Sequence, residues 1–233
     1  MVLYLKSIAA TELNNVVQGR VLLLPIASIE SHGPLPLGTD LMICECITSR
    51  LSDSVVVAPP IPFSTSIEHA FQSFAVYVMS EIMVSYLKQI LSALATLRRP
   101  IVVVPFHGGV RGVAYHAARE AMFSVRSVRI VMFDPFHVIE EVLRERGFRG
   151  IVHADHVEAS MLLACGYSIP SIERCTEIYE DRSAPFEPWI GDDIAHRYTR
   201  ESVCGDEALG KELISKIVDE IESLVARLIE VYG

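Results

Sequence analysis

The chain predicts an α/β fold built on a mostly parallel sheet with helices covering both faces. Three observations carry this reading. Short apolar runs recur at residues 21–24, 55–58, 101–104 and 128–133, as strands buried on both faces require. Segments with helical periodicity separate them, which is the pattern of βα units. Polar loops rich in Gly and Pro follow the first and third runs, and in such sheets the ligand site lies outside the carboxyl ends of the strands. A chain of 233 residues, 51% hydrophobic, is long enough for one sizeable core. No linker, repeat or low-complexity segment divides it, so residues 1–233 are expected to form a single domain.

The elements follow in order. Residues 7–17 form a short amphipathic helix with Leu13, Val16 and Val17 on one side, and residues 21–24 the first strand. Residues 25–40, PIASIESHGPLPLGTD, are a stiff loop punctuated by Gly33, Pro34, Pro36 and Gly38. Thr39 is the expected N-cap of a helix over 41–51, with Asp40 in its first turn. Residues 55–58 make the second strand. The Pro- and Ser-rich connection after it holds His69, and irregular segments of that length in compact domains are often functional. A helix is expected over 80–97, a strand over 101–104, a helix over 113–125, a strand over 128–133 and a helix over 135–146. Residues 153–165, HADHVEASMLLAC, read as a polar entry to an apolar helix. A short strand over 175–179, an irregular stretch over 182–193 with Trp189, and a long amphipathic helix over 206–232 complete the chain.

Composition excludes several classes. A net charge of −9 argues against a general nucleic-acid binder, which would show a basic face. No stretch reaches the roughly 18 uninterrupted apolar residues of a membrane span, and residues 1–15 do not have the order of a signal peptide. A cytoplasmic protein is expected. With only 21% charged residues, part of the surface is expected to be buried between subunits. The five cysteines, at 44, 46, 165, 175 and 204, form no C-x-x-C pair and are expected to be free thiols packed as small hydrophobes. Basic residues are 16 Arg to 4 Lys, and Asn and Gln total five; scarce amides are a thermophile tendency, scarce Lys is not.

The chemistry lies in the loops. Glu30, His32 and Asp40 fall within eleven residues after the first strand. His107 leaves the third strand directly before Gly108 and Gly109, which allow a tight turn and close approach of a ligand. Glu158 enters from the first turn of a later helix. Three carboxylates and two imidazoles suit Zn²⁺, Mn²⁺ or Fe²⁺. Three carboxylates exceed what one zinc needs and fit two ions about 3.5–4 Å apart with a bridging carboxylate, an arrangement that hydrolyses. Ser28 and Ser31 beside His32 raise a serine-hydrolase alternative, but no G-x-S-x-G elbow surrounds either, and a triad has no use for so many carboxylates. A non-catalytic binding or assembly protein is the other alternative.

The stretch SIESHGPLPLGTD resembles the signature of the creatininase family, Glu-x-His-Gly-Pro followed by Pro-Leu-Gly-Thr-Asp. HGG resembles that family's Asn-Gly-His-Gly-Gly-Asn, and HADHVEAS its His-Ala-Gly-x-x-Glu-Thr-Ser. Residues 67–69 sit where members carry a His before Pro-Gly-Thr, and residues 203–206 resemble the family's ending. The resemblance spans nearly the whole chain in order. It implies a metal-dependent amidohydrolase with a three-layer α/β/α sandwich and a homo-oligomer, usually a hexamer. It implies Glu30, His32, Asp40, His107 and Glu158 as ligands of two divalent ions, with Asp40 bridging. His153 is then the catalytic residue, passing a proton to the leaving nitrogen, with Glu158 beside it. His69, Gly108, Gly109 and Arg111 are the candidate substrate contacts.

The departures bear on substrate. Creatinine-hydrolysing members carry a Glu two residues after the second-motif His and another just before the third-motif His; here these are Gly109 and Val152. The Asn residues flanking H-G-G are replaced by Pro105 and Val110, the Pro-Gly-Thr by residues 72–74, Gln-Ser-Phe, and the third-motif Gly by Asp155. Members lacking those two Glu residues include archaeal formamide hydrolases that release formate from a formylamino-pyrimidine ribosyl phosphate in riboflavin and deazaflavin biosynthesis. A small-molecule amide of that kind is the expected substrate, with Arg111 as a candidate for its phosphate. Creatinine or another cyclic amide is the alternative.

Overall fold

The computed structural model describes residues 2–69, 74–126, 128–147, 153–174 and 201–232. Five parallel strands, β1 (Leu3–Tyr4), β2 (Val21–Ile26), β3 (Val55–Val57), β4 (Ile101–Pro105) and β5 (Ile130–Met132), lie in the spatial order β1-β3-β2-β4-β5. The apolar runs that look uniform in sequence divide between two faces, because successive side chains in a strand point to opposite sides. Val21, Leu23, Val55, Val57, Val102 and Val104 face one core. Leu22, Leu24, Ile26, Val56, Ile101 and Val103 face the other.

Each core is closed by helices. On the second face lie α1 (Leu13–Val17), α3 (Ser80–Ala95) and α4 (Arg111–Val125). α3 contributes Met83, Leu87 and Leu91 at fourfold spacing, and α4 contributes Ala114, Ala117, Ala118 and Ala121, small residues that let the two helices pack closely. On the first face lie α2 (Thr39–Thr48), α5 (Pro135–Glu145), α6 (His156–Ala164) and α7 (Glu207–Tyr232). α7 buries Leu213, Ile217, Ile221, Val225 and Leu228 along one stripe. A Cβ at its Gly210 would collide with the Ser160 carbonyl, so α7 and α6 meet backbone to backbone. The result is the expected three-layer α/β/α sandwich. A second, two-stranded parallel sheet, β6 (Ile172–Arg174) with β7 (Val203–Gly205), leads into α7.

The strand order places the site. After β2 the chain moves to β3 on one side, then returns past β2 to β4 on the other. The loops after these strands diverge at their carboxyl ends and leave a crevice there. Glu30 and His32 follow β2, His69 follows β3 in the 3₁₀ turn Ile67–His69, and His107 follows β4.

Several sequence expectations shift. β2 runs two residues further, through Pro25, whose carbonyl accepts from Ile61 N at 3.0 Å. The helix expected over 7–17 is confined to Leu13–Val17. Thr39 is not the N-cap of α2; it is the first helical residue, its hydroxyl donates to Pro36 O at 2.7 Å, and Gly38 holds the cap position. Asp40 keeps its place in the first turn. β1, β6 and β7 are too short to show a pattern. The strand expected over 175–179, the stretch over 182–193 and residues 72–73 and 152 lie outside the described residues.

The cysteine expectation is corrected. Cys44 is a buried free thiol, but Cys46 and Cys165 form a disulfide with Cα atoms 5.9 Å apart, and Cys204 is disulfide-bonded as well. Cysteines 119 positions apart gave no local signal; the packing of α2 against α6 brings them together. The bridge joins the helix whose first turn holds Asp40 to the helix that carries Glu158. Its loop is long, so Cys46→Ser should lower the unfolding free energy by about 2–4 kcal/mol. Denaturant unfolding of the two proteins, with and without reductant, measures this. Equal midpoints under oxidising conditions would show that the bridge adds nothing.

Candidate metal centre

The loop after β2 is held from three directions. Ser31 N donates to Phe74 O at 2.7 Å, Glu30 N to Leu37 O at 3.0 Å, and Ser64 Oγ to Ala27 O at 2.7 Å. Gly33, at φ +56°, turns the chain in the left-handed region that favours glycine. These ties carry Glu30 and His32 into the protein, where both are fully buried.

Asp40 arrives from the start of α2, 4% exposed. Its Oδ1 lies 3.2 Å from His32 Nε2, its Oδ2 3.1 Å from His107 Nδ1, and Ser28 Oγ donates to Oδ2 at 2.8 Å. Ser28 therefore supports a carboxylate, which leaves no role for it as a nucleophile. Glu30 Oε1 lies 3.2 Å from His107 Nδ1, 3.4 Å from His69 Nε2 and 3.7 Å from His153 Nδ1. Glu158 Oε1 lies 3.7 Å from His32 Nε2, and its Oε2 accepts from Ala154 N at 2.7 Å. Asp155 caps α6 by accepting from Val157 N and Glu158 N; this capping is the use the chain makes of the residue at the family's Gly position. Ala154, at φ +57°, makes the turn between His153 and that cap in a conformation an L-residue adopts at a cost of roughly 1 kcal/mol. The strain is confined to the turn that presents His153 and Glu158.

The histidines share a feature. His32 Nδ1 pairs with Glu30 O at 3.0 Å, His107 Nε2 with Thr65 O at 2.7 Å, and His153 Nε2 with Ser31 O at 2.6 Å. A carbonyl only accepts, so each of these nitrogens carries the hydrogen. In a neutral ring the opposite nitrogen then bears a lone pair, and in all three it faces the carboxylates. Metal-binding histidines are oriented in this way.

The carboxylates and imidazoles shift one another's titration. Burial alone would push His32 down, but Glu158 and Asp40 outweigh it and hold its pKa well above the usual 6.5. Burial acts likewise on His107, where Glu30 and Asp40 prevail. Burial opposes ionisation of Glu30 and Asp40, yet His107 and His32 hold both below the usual carboxylate range. Two imidazoles are left neutral. Burial lowers His69 to about 4, and burial with the nearby His32 and His69 lowers His153 well below 6.5. Buried carboxylates thus demand positive charge at this point, and a divalent cation meets the same demand.

Among the described residues three donor sets have ligand atoms within 4.8 Å of one another: Glu30, His69 and His153; His32, His153 and Glu158; and Glu30, His32 and Asp40. Both oxygens of Glu30 are buried and accept no hydrogen bond. That orphaned carboxylate, with lone pairs converging on it, fits a metal. Of the residues named from sequence, Glu30, His32, Asp40, His107, Glu158, His153 and His69 come together here. Gly108 and Gly109 form the 3₁₀ turn beside His107, and Thr65 Oγ1 donates to Gly109 O at 2.9 Å. Arg111 is drawn elsewhere: it pairs with Asp134 at 2.7 Å and lies over the Phe136 ring. Sequence reasoning raised Ser28 only as a candidate nucleophile, not as a partner of Asp40, and did not single out Thr65; the run Ser64-Thr65-Ser66 was the available signal.

The raised His107 value depends on Glu30. Removing that charge with Glu30→Gln should bring the His107 pKa down in the metal-free protein, as read by NMR titration of the imidazole. The ion pair's contribution to stability is full below about pH 6.5 and fades as pH rises through the folded value. The variant should show less of this fading, and an unmoved His107 titration would exclude Glu30 as its partner.

A family model described as creatinine amidohydrolase matches residues 6–225. No curated protein matches the chain. Solved structures with the same fold include a creatinine amidohydrolase (creatininase), 16% identical with a TM-score of 0.72 and 97% of each chain covered. Another is a creatininase variant complexed with creatine, 14% identical with a TM-score of 0.73, covering 98% of this chain and 99% of that one. A third is a putative creatinine amidohydrolase from Bacteroides fragilis NCTC 9343, 19% identical with a TM-score of 0.65, covering 97% of this chain and 96% of that one. No helix among the described residues is long and apolar enough to cross a membrane. The signature loop after β2, the cluster it anchors and a family match over nearly all of its length agree: the chain belongs to the creatininase family of metal-dependent amidohydrolases.

Proposed function

We propose that the cluster holds two divalent ions, Zn²⁺, Mn²⁺ or Fe²⁺, through Glu30, His32, Asp40, His107 and Glu158, and hydrolyses a small formamide. The observation that carries the reading is the buried, orphaned carboxylate of Glu30 facing imidazole lone pairs. Asp40 would be shared between the ions, since one of its oxygens faces His32 and the other His107. The manganese form of a related creatininase, 16% identical with a TM-score of 0.72, supports Mn²⁺ as one candidate. When bound, the ions supply Lewis acidity toward a carbonyl oxygen and make water acidic near neutral pH.

The chain's own groups handle the proton. His153 is neutral at rest, and Ser31 O fixes its Nε2–H, so Nδ1 is the atom turned to the centre. Water oxygen bonds to the carbonyl carbon and its proton passes to His153 Nδ1. The same proton moves to the amide nitrogen as the C–N bond breaks, giving a free amine and formic acid, which loses its remaining proton to solvent as formate. Glu158 holds His153 in reach through the bond from Ala154 N.

The formylamino-pyrimidine ribosyl phosphate remains the specific substrate in this proposal. Its support is the absence of side chains at Gly109 and of a carboxylate at 152, positions used by creatinine-hydrolysing members. Arg111 can meet its phosphate only by giving up Asp134. The proposal includes a homo-oligomer, a hexamer by family resemblance, which would cover Ile82, Tyr86, Tyr115 and Phe123, exposed on α3 and α4; a monomer by light scattering would remove that part.

Formate release from a panel of formamides, with creatinine as the cyclic-amide control, tests the substrate with each metal in turn. No turnover of any formamide alongside turnover of creatinine would overturn it. Asp40→Ala should lose both ions, because each loses a ligand; two ions retained would remove the bridge. His153→Ala should keep the ions and slow turnover by about 10²–10⁴-fold. Unchanged turnover would take His153 out of the mechanism.

A further inference from the structure

His69 lies outside the ligand set proposed above, yet it is 1% exposed and turned into the cluster. The β3–α3 connection that carries it is tied to both neighbouring loops. Ser64 Oγ donates to Ala27 O, Thr65 Oγ1 donates to Gly109 O, and Thr65 O accepts from His107 Nε2. His69 N closes its own turn on Ser66 O at 3.2 Å. The segment that fixes the His107 ring thus delivers a second imidazole to the same carboxylate.

We infer that His69 is itself a metal ligand, giving Nε2 to the ion held by Glu30 and His107. The inference rests on the dinuclear reading and extends it. Its geometry is specific. Glu30 Oε1 is 3.2 Å from His107 Nδ1 and 3.4 Å from His69 Nε2. Ligand atoms bonded to one ion at about 2.1 Å stand roughly 3.0–3.4 Å apart in octahedral and tetrahedral geometry. A carboxylate that merely collects N–H donors draws them to about 2.7–2.9 Å. Both Glu30 oxygens lack such a bond. Glu30, His69 and His153 have ligand atoms within 4.8 Å of one another, and the His69 and His107 ring centroids are 6.5 Å apart.

His153 competes for the role, since it also faces Glu30 Oε1, at 3.7 Å. Its ring stacks on His69 at 4.3 Å with 25° between planes, so the two imidazoles approach side by side. His69 is the nearer to Glu30, which leaves His153 for proton transfer. Gly109, two residues past His107, offers no side-chain donor on this flank. His69 fills that lack from another strand's loop. A second nitrogen on this ion moves the donor set toward Zn²⁺ and Fe²⁺ and away from Mg²⁺ or Ca²⁺.

The test is metal binding. Wild type, His69→Ala, His69→Gln and His153→Ala are loaded with Co²⁺ or Zn²⁺ and compared by elemental analysis after dialysis, by affinity and by the visible Co²⁺ spectrum, with circular dichroism as the folding control. The expected result is two ions in wild type and in His153→Ala. The His69 variants should lose one ion or hold it at least roughly tenfold more weakly, with an altered spectrum. X-ray absorption of Zn-loaded wild type needs no variant and can overturn the inference even where the variants fail to fold: three imidazoles shared by two ions are expected, and two would overturn it. Folded His69 variants with wild-type stoichiometry, affinity and spectrum would also overturn it, as would loss of an ion in His153→Ala alone. Wild type that binds no metal would overturn the dinuclear reading and this inference together; wild type with two ions and indifferent His69 variants would overturn this inference alone.

Discussion

The structure depends on compensating negative charge where it is least tolerated. Glu30 and Asp40 sit at the carboxyl ends of a sheet buried on both faces, and both are nearly inaccessible to water. An isolated ionised carboxylate in such a place costs many kcal/mol unless positive charge or donors surround it. Imidazoles answer the demand from four directions: the β2 loop, the β3 loop, the β4 loop and the entry to α6. A stack of histidines around carboxylates is unstable as a purely protonic arrangement, because neighbouring imidazoliums repel. The opposed shifts, His32 and His107 up and His69 and His153 down, are the mark of that conflict. A divalent cation would resolve it, since it replaces protons with a concentrated charge that neutral imidazoles can face.

The remainder of the fold keeps those groups in register. The strand order opens a crevice between diverging loops, and hydroxyls of Ser28, Ser64 and Thr65 with the amide of Ser31 hold the loops to one another. Asp40 and Glu158 reach the centre from helix starts, so their separation is set by how α2 and α6 pack. The Cys46–Cys165 bridge and the close approach of α6 to α7 at Gly210 fix that packing from behind. Core geometry and site geometry are therefore one problem on this side of the sheet. On the other side, α3 and α4 close the second core and carry exposed aromatic residues on their outer surface.

Much of the architecture was legible from local pattern. Buried parallel strands are continuous apolar runs, and β2, β3, β4 and β5 each announce themselves as such. The helices α3, α5 and α7 follow their periodicity closely. The misreadings have local causes. Pro25 looks like a strand end but lies inside β2, because its missing N–H costs nothing where its carbonyl still finds Ile61 N. Thr39 looks like a cap, but its hydroxyl turns back to Pro36 O. The cysteines looked solitary because a disulfide depends on spatial, not sequential, proximity.

The chain by itself determined the candidate donors: Glu30, His32 and Asp40 on one stiff loop, His107 before two glycines, Glu158 in a first helical turn, in an order that resembles the family signature. These are local facts, set by residue type and spacing. Only the tertiary structure decided which atoms face each other. It brought His69 from an irregular connection to within 3.4 Å of Glu30, turned Arg111 away to Asp134, and chose the nitrogen each of three histidines keeps for the centre. Those outcomes depend on backbone carbonyls and packed helices distant in sequence, and no local pattern encodes such distances.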